Sequence, residues 1–351
     1  MRSYRVRAAV AAAAVALSLS ACGASDDGAD DAADKGGNTE NGASGAFPIT
    51  IEHALGTTTI PEKPERVATV AWANHEVPLA LGVVPVGMAA ANFGDDDGDG
   101  VLPWVTEKLD ELGAETPVLF DENDGIDFES VADTNPDVIL ASYSGLTQRD
   151  YDTLSDIAPV IAYPEAPWAT SWRDIITLNS QAIGLGAEGE ALIADLEQEI
   201  SDTVAGYPQL TGKSVMFMTH IDPTDVSQVG FYTAHDTRAL FFEDLGLETP
   251  GSIAELSAGT NQFALTQSAE QIQVFDDVDI ITGYGDEEGE LFGIVQQDPL
   301  LSQIPAVERG SVAFLPGSTP LATAANPTPL SISWVLDDYV ALLAEAADKV
   351  E

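Results

Sequence analysis

The stretch Arg66–Met88, "RVATVAWANHEVPLALGVVPVGM", places a strand signal directly before a helical one. Its first seven residues have a β-rich composition, and the remainder has the apolar spacing of a helix. The same succession recurs in "KSVMFMTH", residues 213–220, which is followed by the helical "DTRALFFEDLGLETP", residues 236–250. Each of the two units closes on a Leu-Gly pair. Strands that alternate with helices in this way predict an α/β fold.

Two further elements occur twice and in the same order. Residues 127–143, "DFESVADTNPDVILASY", and residues 268–284, "SAEQIQVFDDVDIITGY", each read as a short helix and an aliphatic strand that ends at a tyrosine. Residues 154–163, "LSDIAPVIAY", match residues 301–315, "LSQIPAVERGSVAFL", in the same manner. Three matched elements indicate an internal repeat. We therefore predict two similarly built, Rossmann-like α/β lobes.

A single long helix is predicted between the two halves. In "EGEALIADLEQEISDTVAGYP", residues 188–208, aliphatic residues recur at helical spacing, and Gly206 and Pro208 mark the end. A helix of about twenty residues spans roughly 30 Å and lacks the flexible paired strands of a wide hinge, so we expect only modest opening. The predicted parts are a signal peptide over 1–21, a tether over 22–46, a first lobe over 47–186, the connecting helix over 187–207 and a second lobe over 208–351.

The N-terminus is typical of an exported lipoprotein. The basic "MRSYRVR" precedes an apolar run of the length of a signal-peptide core, too short to be a stable membrane span. This run ends at Leu19-Ser20-Ala21-Cys22, which resembles the lipobox of bacterial lipoproteins, and Cys22 is the only cysteine in the chain. A stray thiol is the alternative, but the position of Cys22 favours acylation. The residues up to Ala46 lack large apolar side chains and predict a disordered tether.

The composition excludes some classes of partner. The 351 residues include 13 Lys and Arg against 58 Asp and Glu, a net charge of -45, which repels nucleic acid phosphates. We expect no nucleic-acid binding. Acidity spread along the whole chain is more typical of a solvated surface than of a cation store. Neither a Gly-x-Ser-x-Gly nucleophile motif nor a Walker loop occurs, so the sequence does not indicate an enzyme.

Four segments resemble the substrate-binding lipoproteins of iron-siderophore ABC transporters, a group that also includes cobalamin and haem carriers. They are "PERVATVAWANHEVPLALGVVPVGM", "GIDFESVADTNPDVIL", "YDTLSDIAPVIAY" and "PTPLSISWVLDDYVALL", and the resemblance runs from about Leu55 to the C-terminus. The actinobacterial branch is the most similar, through Trp72, Pro103-Trp104 and "DTRALFFEDLGL". The resemblance implies two lobes, a connecting helix, a ligand cleft between the lobes and an extracytoplasmic, lipid-anchored monomer that delivers its ligand to permease subunits.

A ferric siderophore satisfies its iron with its own oxygens, so such a site needs aromatic walls and a few donors rather than metal ligands. We therefore expect no cofactor. Ligands of open α/β sheets bind at the carboxyl ends of strands, and any single aromatic there could equally be a packing residue. The candidate ligand-binding residues are Trp72, Phe93, Trp104, Tyr143, Trp168, His220, Tyr232, Arg238 and Tyr284. By the resemblance, Glu129 and Glu270 would dock the permease, although a first-turn glutamate also stabilises its own helix.

The scarcity of basic residues narrows the class of ligand that we expect. Catecholate and citrate complexes are anionic and would require clustered Arg or Lys, whereas the plausible cations are Arg149, Arg173 and Arg238. We therefore expect a neutral or cationic ferric hydroxamate of the ferrioxamine kind. Arg238 could donate to the ligand or pair with Asp236 or Glu243 of its own segment. Haem and cobalamin remain alternatives, and the scattered histidines make a direct metal-ion carrier a weaker one.

The loop "NFGDDDGDG", residues 92–100, begins like an EF-hand calcium loop, with Asp95, Asp97 and Asp99 at alternate positions. Its twelfth position, however, is Thr106 rather than a glutamate. We interpret the loop as a flexible acidic lip over the ligand cleft, with Phe93 and Trp104 as its apolar ends. Its carboxylates would disfavour anionic ligands.

Overall fold

The computed structural model describes residues 45–222, 224–286 and 289–350. The predicted signal peptide, Cys22 and the tether up to residue 44 lie outside the described residues. The described chain begins with an antiparallel hairpin of strands β1 (Ile49–His53) and β2 (Gly56–Ile60). The buried side chains of Ile51 and Ile60 attach this hairpin to the hydrophobic core beneath the first large sheet.

The first lobe is built on a parallel five-stranded sheet. Its strands are β3 (Val67–Thr69), β4 (Gly87–Ala89), β5 (Val118–Phe120), β6 (Val138–Leu140) and β7 (Val160–Ile161). They lie in the order β5-β4-β3-β6-β7. The helices of this lobe are α1 (Glu76–Ala80), α2 (Pro103–Leu112), α3 (Phe128–Asp133), α4 (Gln148–Ser155) and α5 (Trp172–Ala182). Strands β3 and β6 are buried throughout, which explains their continuous apolar sequences.

Helix α6 (Gly186–Val204) leads from the first lobe into the second. Leu196 and Ile200 form its buried face. Gly189 allows α6 to approach α5 closely, because a Cβ at this position would lie 2.1 Å from the Oγ of Ser180. The aliphatic spacing in the sequence thus corresponds to a helix that is packed rather than free in solvent.

The second lobe contains another five-stranded sheet. Its strands are β8 (Val215–Met218), β9 (Gln228–Tyr232), β10 (Ala264–Ser268), β11 (Ile280–Tyr284) and β12 (Val312–Leu315). Its α-helices are α7 (Thr237–Asp244), α8 (Gly251–Ser257), α9 (Glu290–Gln297), α10 (Pro305–Arg309), α11 (Pro320–Ala324) and α12 (Ser331–Ala347). Short 3-10 helices cover Pro208–Leu210, Ala269–Phe275 and Leu301–Gln303. None of the helices in the described part of the chain is both long and apolar enough to cross a membrane.

The two sheets share one strand order, since the second lobe reads β10-β9-β8-β11-β12. The internal repeat predicted from the sequence is therefore confirmed. Two details of the prediction were wrong. The helix after β3 ends at Ala80, because Gly82 turns the chain with a φ of 78° before β4 begins. The helix after β8 is preceded by β9, which runs antiparallel to both of its neighbours.

Polar contacts join the two lobes, and two of the groups that make them are the carboxylates of Asp244 and Glu76. Asp244 of α7 accepts hydrogen bonds from the indole nitrogen of Trp172 at 2.9 Å and from both terminal nitrogens of Arg173 at 3.0 and 2.8 Å. The fully buried carboxylate of Glu76 accepts the backbone N–H of Leu330, directly before α12, at 2.9 Å. Both contacts lie between side chains or backbone of different lobes and would have to break if the lobes separated at these points.

Candidate ligand-binding site

A cavity of about 320 Å³ lies between the two lobes. Strands β3, β6, β8 and β11 direct their carboxyl ends toward it, which is where open α/β sheets hold ligands. Trp72 and Tyr143 follow β3 and β6, while His220 follows β8 and Tyr284 closes β11. The lining residues are Trp72, Asn92, Phe93, Tyr143, Trp168, His220, Tyr232, Asp236, Arg238, Phe263, Tyr284, Thr323 and Asn326.

The walls of this cavity are aromatic rings that support one another. The rings of His220 and Tyr284 are stacked, with centroids 4.5 Å apart and planes at 16°. Phe93 meets each of these two rings edge-on at 5.7 Å. Across the cleft, Tyr143 and Trp168 form another edge-on pair at 5.3 Å. Rings held in this way offer fixed apolar faces to a bulky ligand.

Arg238 is the cation of this cavity, and it is already engaged by the protein. Its Nη1 donates to both carboxylate oxygens of Asp236 at 2.9 and 2.8 Å, and its Nε donates to the Tyr284 hydroxyl at 2.9 Å. Its guanidinium also lies 4.2 Å above the Tyr232 ring. Burial opposes the charge of Arg238, but Asp236 more than offsets this and holds the arginine pKa well above its ordinary value. Arg238 therefore stays charged, with Nη2 left to donate to a ligand.

The cavity carries little net charge. The carboxylate of Asp236 is fully buried and neutralises Arg238. Burial, followed by the nearby Arg238, lowers the pKa of His220, so its imidazole is uncharged at neutral pH. Asn92 and Asn326 add uncharged polar groups. Within the described ranges, no second Lys or Arg lines this cavity. The site thus offers aromatic faces and neutral hydrogen-bonding groups rather than a cluster of cations.

Comparison with known proteins identifies the family. The model of the family described as "Periplasmic binding protein" matches residues 67–319, well over half of the chain. The chain belongs to the periplasmic binding protein family. This is a family of binding proteins and not of enzymes, and the two α/β lobes of the chain are those of its members.

Individual relatives support this assignment. A crystal structure of PiaA from Streptococcus pneumoniae TIGR4 in complex with ferrichrome is similar at a TM-score of 0.83 and 45% identity, over 86% of this chain and 100% of that one. A periplasmic solute binding protein from Mycobacterium smegmatis has a TM-score of 0.69 and 27% identity, over 85% and 98% of the two chains. The probable siderophore-binding lipoprotein YfiY of Bacillus subtilis is 27% identical over 65% of this chain and 66% of its own length.

The structure brings eight of the nine sequence-predicted ligand residues of this binding protein to one cavity. The exception is Trp104, whose predicted place in the cleft was wrong. Pro103 occupies the first turn of α2, and the helix that begins there turns Trp104 into the core, where 4% of its surface is exposed. Its indole nitrogen donates to the buried Glu76 carboxylate at 2.8 Å, and its ring packs against Trp334. Trp104 is a packing residue.

Five residues of the cavity wall were not predicted. Asp236 was considered only as a partner of Arg238, although it also lines the cavity. Phe263 precedes β10 and stacks on Tyr232 at 6.5 Å, so it approaches from the amino end of a strand, whereas the predicted residues were sought at carboxyl ends by the rule for open α/β sheets. The remaining three residues are Asn92, Thr323 and Asn326. Only Asn92 gave a sequence signal, since it begins the acidic loop.

The acidic loop of the binding protein is folded onto itself. Asp95 accepts the backbone N–H groups of Gly98 and Gly100, at 2.8 and 2.7 Å, and Asp97 and Asp99 each accept a neighbouring backbone N–H. Carboxylate oxygens of the three aspartates lie within 4.8 Å of one another. The Phe93 end of the loop reaches the cavity, whereas the Trp104 end does not. Hydrogen-bonded turns account for the aspartates.

The two predicted docking glutamates occupy matching places in the two lobes. Glu129 lies in the first turn of α3, between β5 and β6, and its side chain is exposed. Glu270 lies in the first turn of the 3-10 helix Ala269–Phe275, between β10 and β11, and is exposed as well. Because β5 and β6 correspond to β10 and β11 in the shared strand order, both glutamates mark the same position of the repeat.

Proposed function

We propose that this protein is an extracytoplasmic solute-binding protein that captures a ferric siderophore, with a hydroxamate as the favoured class, and delivers it to an ABC permease. The observation that carries the proposal is the interlobe cavity with rigid aromatic walls and a single, internally neutralised arginine. A siderophore complex is bulky and already coordinates its iron fully, so it needs apolar faces and a few donors instead of metal ligands. The names of the relatives, which include a ferrichrome complex and a siderophore-binding lipoprotein, support the same class.

The charge of the cavity favours a neutral or cationic ferric complex. An anionic complex would need net positive charge in the cleft to offset its lost hydration. Here Asp236 cancels Arg238, and the imidazole of His220 is uncharged at neutral pH. The Nη2 atom of Arg238 can still donate one hydrogen bond to a hydroxamate oxygen. A neutral hydroxamate complex fits this balance.

The protein needs no cofactor of its own under this proposal, since the iron arrives inside the ligand. Haem would instead require an axial ligand from the protein, for which His220 or Tyr284 would be available. Both rings, however, are stacked flat on each other at 4.5 Å, which is an arrangement for packing against a ligand face. We therefore favour the siderophore over haem or cobalamin.

Membrane attachment and delivery complete the proposal. The lipobox-like Leu19-Ser20-Ala21-Cys22 supports cleavage of the signal peptide and acylation of Cys22, which would hold the protein on the outer face of the cell membrane through the tether. Glu129 and Glu270 would pair with arginines of the permease subunits, one glutamate from each lobe. Their exposure and their equivalent positions in the repeat support this role.

Fluorescence quenching tests the ligand class. Trp72 and Trp168 line the cavity, so a ferric hydroxamate such as ferrichrome or ferrioxamine should quench the tryptophan emission of the purified protein at sub-micromolar concentration. The iron-free siderophores serve as controls, because they lack the absorbing metal centre. Absence of quenching by every hydroxamate tested would refute the proposal, and a Soret band in the native protein would identify a haem carrier instead.

A further inference from the structure

A second cavity, of about 400 Å³, adjoins the interlobe cavity inside the first lobe. The two cavities share Trp72, Asn92 and Trp168, so a ligand in the cleft can extend into both. The walls of the second cavity are mostly small or aliphatic, with Met88, Leu102 and Ile126 among them. Its size and composition suit a flexible apolar chain rather than a second metal centre.

One carboxyl group in this second cavity has an unused oxygen. Glu122 follows β5, and its Oε2 accepts the backbone N–H of Ala71 at 2.9 Å. The Oε1 atom is buried and has no hydrogen-bond partner in the described structure. A buried carboxylate oxygen without a donor costs free energy, which a donor on a ligand would recover. Burial is the main cause that raises the pKa of Glu122 to about 7. The hydrogen bond from Ala71 lowers this pKa, and the negative charge of Asp127 raises it further.

The other titratable groups of the cavity define its charge. Asp150 lines it as well, but its carboxylate already accepts hydrogen bonds from the backbone and hydroxyl of Thr147 at the start of α4. His75 is buried, and burial lowers its pKa to about 4, so it is neutral at physiological pH. Within the described ranges, no Lys or Arg lines this cavity. The cavity is therefore acidic at its polar positions and apolar elsewhere.

The backbone around Glu122 is held in a conformation that side chains rarely adopt. Ala71 and Ala73, in the loop after β3, have φ values of 60° and 62°, and Trp168 has a φ of 60°. All three residues line the second cavity. Left-handed backbone at non-glycine residues is strained and tends to occur at ligand sites. The same loop presents the Ala71 N–H to the Oε2 atom of Glu122.

We propose that the second cavity binds an alkylammonium arm of the siderophore, with its methylene groups along the apolar wall and its ammonium on Glu122. This inference rests on the proposed function, because the iron centre of the same ligand would occupy the interlobe cavity. The ligand is then a particular kind of hydroxamate complex, one that carries a primary amine on a flexible chain. Ferrioxamine B has such an arm, whereas its N-acetyl derivative has the same chain without the charge.

The two forms of ferrioxamine give a direct test. At pH 8 the intact protein should bind ferrioxamine B about tenfold more tightly than N-acetylferrioxamine B, the effect of one charge-assisted hydrogen bond. The preference should fall toward unity as the pH decreases below about 7, because protonation of Glu122 removes the charge that the ammonium recognises. Glu122→Gln should abolish the preference at every pH.

Glu107→Gln, an exposed substitution on α2, is the matched control and should retain the preference. Equal affinities of the intact protein for the two forms, or a preference that persists in Glu122→Gln, would overturn the assignment of the ammonium to Glu122. If ferrichrome still binds in either case, the proposed function stands without the amine subsite. If no hydroxamate binds at all, both proposals fail.

Discussion

Asp236→Asn removes the negative charge of Asp236 from the cleft while nearly preserving the shape of the cleft. The asparagine is close to isosteric and can still accept the Arg238 backbone N–H that Asp236 accepts at 2.9 Å at the start of α7. What it removes is the negative charge that receives two hydrogen bonds from Arg238, at 2.9 and 2.8 Å, with Asp236 fully buried. Removing one partner of a buried ion pair costs about 3–5 kcal/mol, and the retained acceptor places this substitution near the lower end.

Two measurements follow from this substitution. Urea unfolding, monitored by tryptophan fluorescence, should show a free energy of unfolding about 3 kcal/mol below that of the unmodified protein. Ligand titration should show the affinity ratio of a ferric catecholate to a ferric hydroxamate rising about tenfold, because the cavity gains an unpaired cation. Glu243→Gln, an exposed change on the same helix, is the control. An unchanged stability together with an unchanged ligand ranking would refute the account of a neutralised cleft.

Three further variants test the docking glutamates, the interlobe contact of Asp244 and the packing role of Trp104. Changing both Glu129 and Glu270 to Gln should abolish iron uptake by cells and leave ligand affinity intact, whereas a loss of affinity would place these residues in the binding site. Asp244→Asn should lower the free energy of unfolding by about 1–2 kcal/mol, because it weakens the bonds from Arg173 between the lobes, and an unchanged urea midpoint would argue against this role. Trp104→Phe should lower the free energy of unfolding without changing ligand affinity, because it removes the hydrogen bond to Glu76. Weaker ligand binding by this variant would indicate that Trp104 contacts the ligand.

The fold could be predicted best where the apolar pattern of a segment and the internal repeat of the chain indicated the same strand. Buried parallel strands have continuous apolar sequences, so β3 and β6 could be recognised, and their repetition as β8 and β11 fixed the architecture. Residues that directly follow such strands meet at one edge of the sheet. This is why Trp72, Tyr143, His220 and Tyr284 could be assigned to a single cleft from their positions alone.

The failures have a common physical cause, since they depend on contacts between distant segments. Glu122 lies in "DENDGID" and resembles any solvated acidic turn, yet it is half-buried, its Oε1 atom is enclosed and its Oε2 atom accepts the backbone N–H of the distant Ala71. Trp104 looked like a rim residue after a glycine-rich loop, yet the direction of α2 turns it inward. Phe263 lies next to Ala264, which pairs with Tyr232 across the antiparallel strands β9 and β10, and this pairing could not be predicted from the composition of either strand.

A calorimetric titration of the purified protein with a panel of ligands shows whether the cleft selects ferric hydroxamates. The panel contains ferrichrome, ferrioxamine B, a ferric catecholate, ferric citrate, haemin and cobalamin at one pH and ionic strength. We predict sub-micromolar binding of the two hydroxamates and binding of the anionic iron complexes that is at least about a hundredfold weaker, because the cleft has no net positive charge. Tighter binding of ferric citrate, the catecholate, haemin or cobalamin than of either hydroxamate would rule out this ligand class.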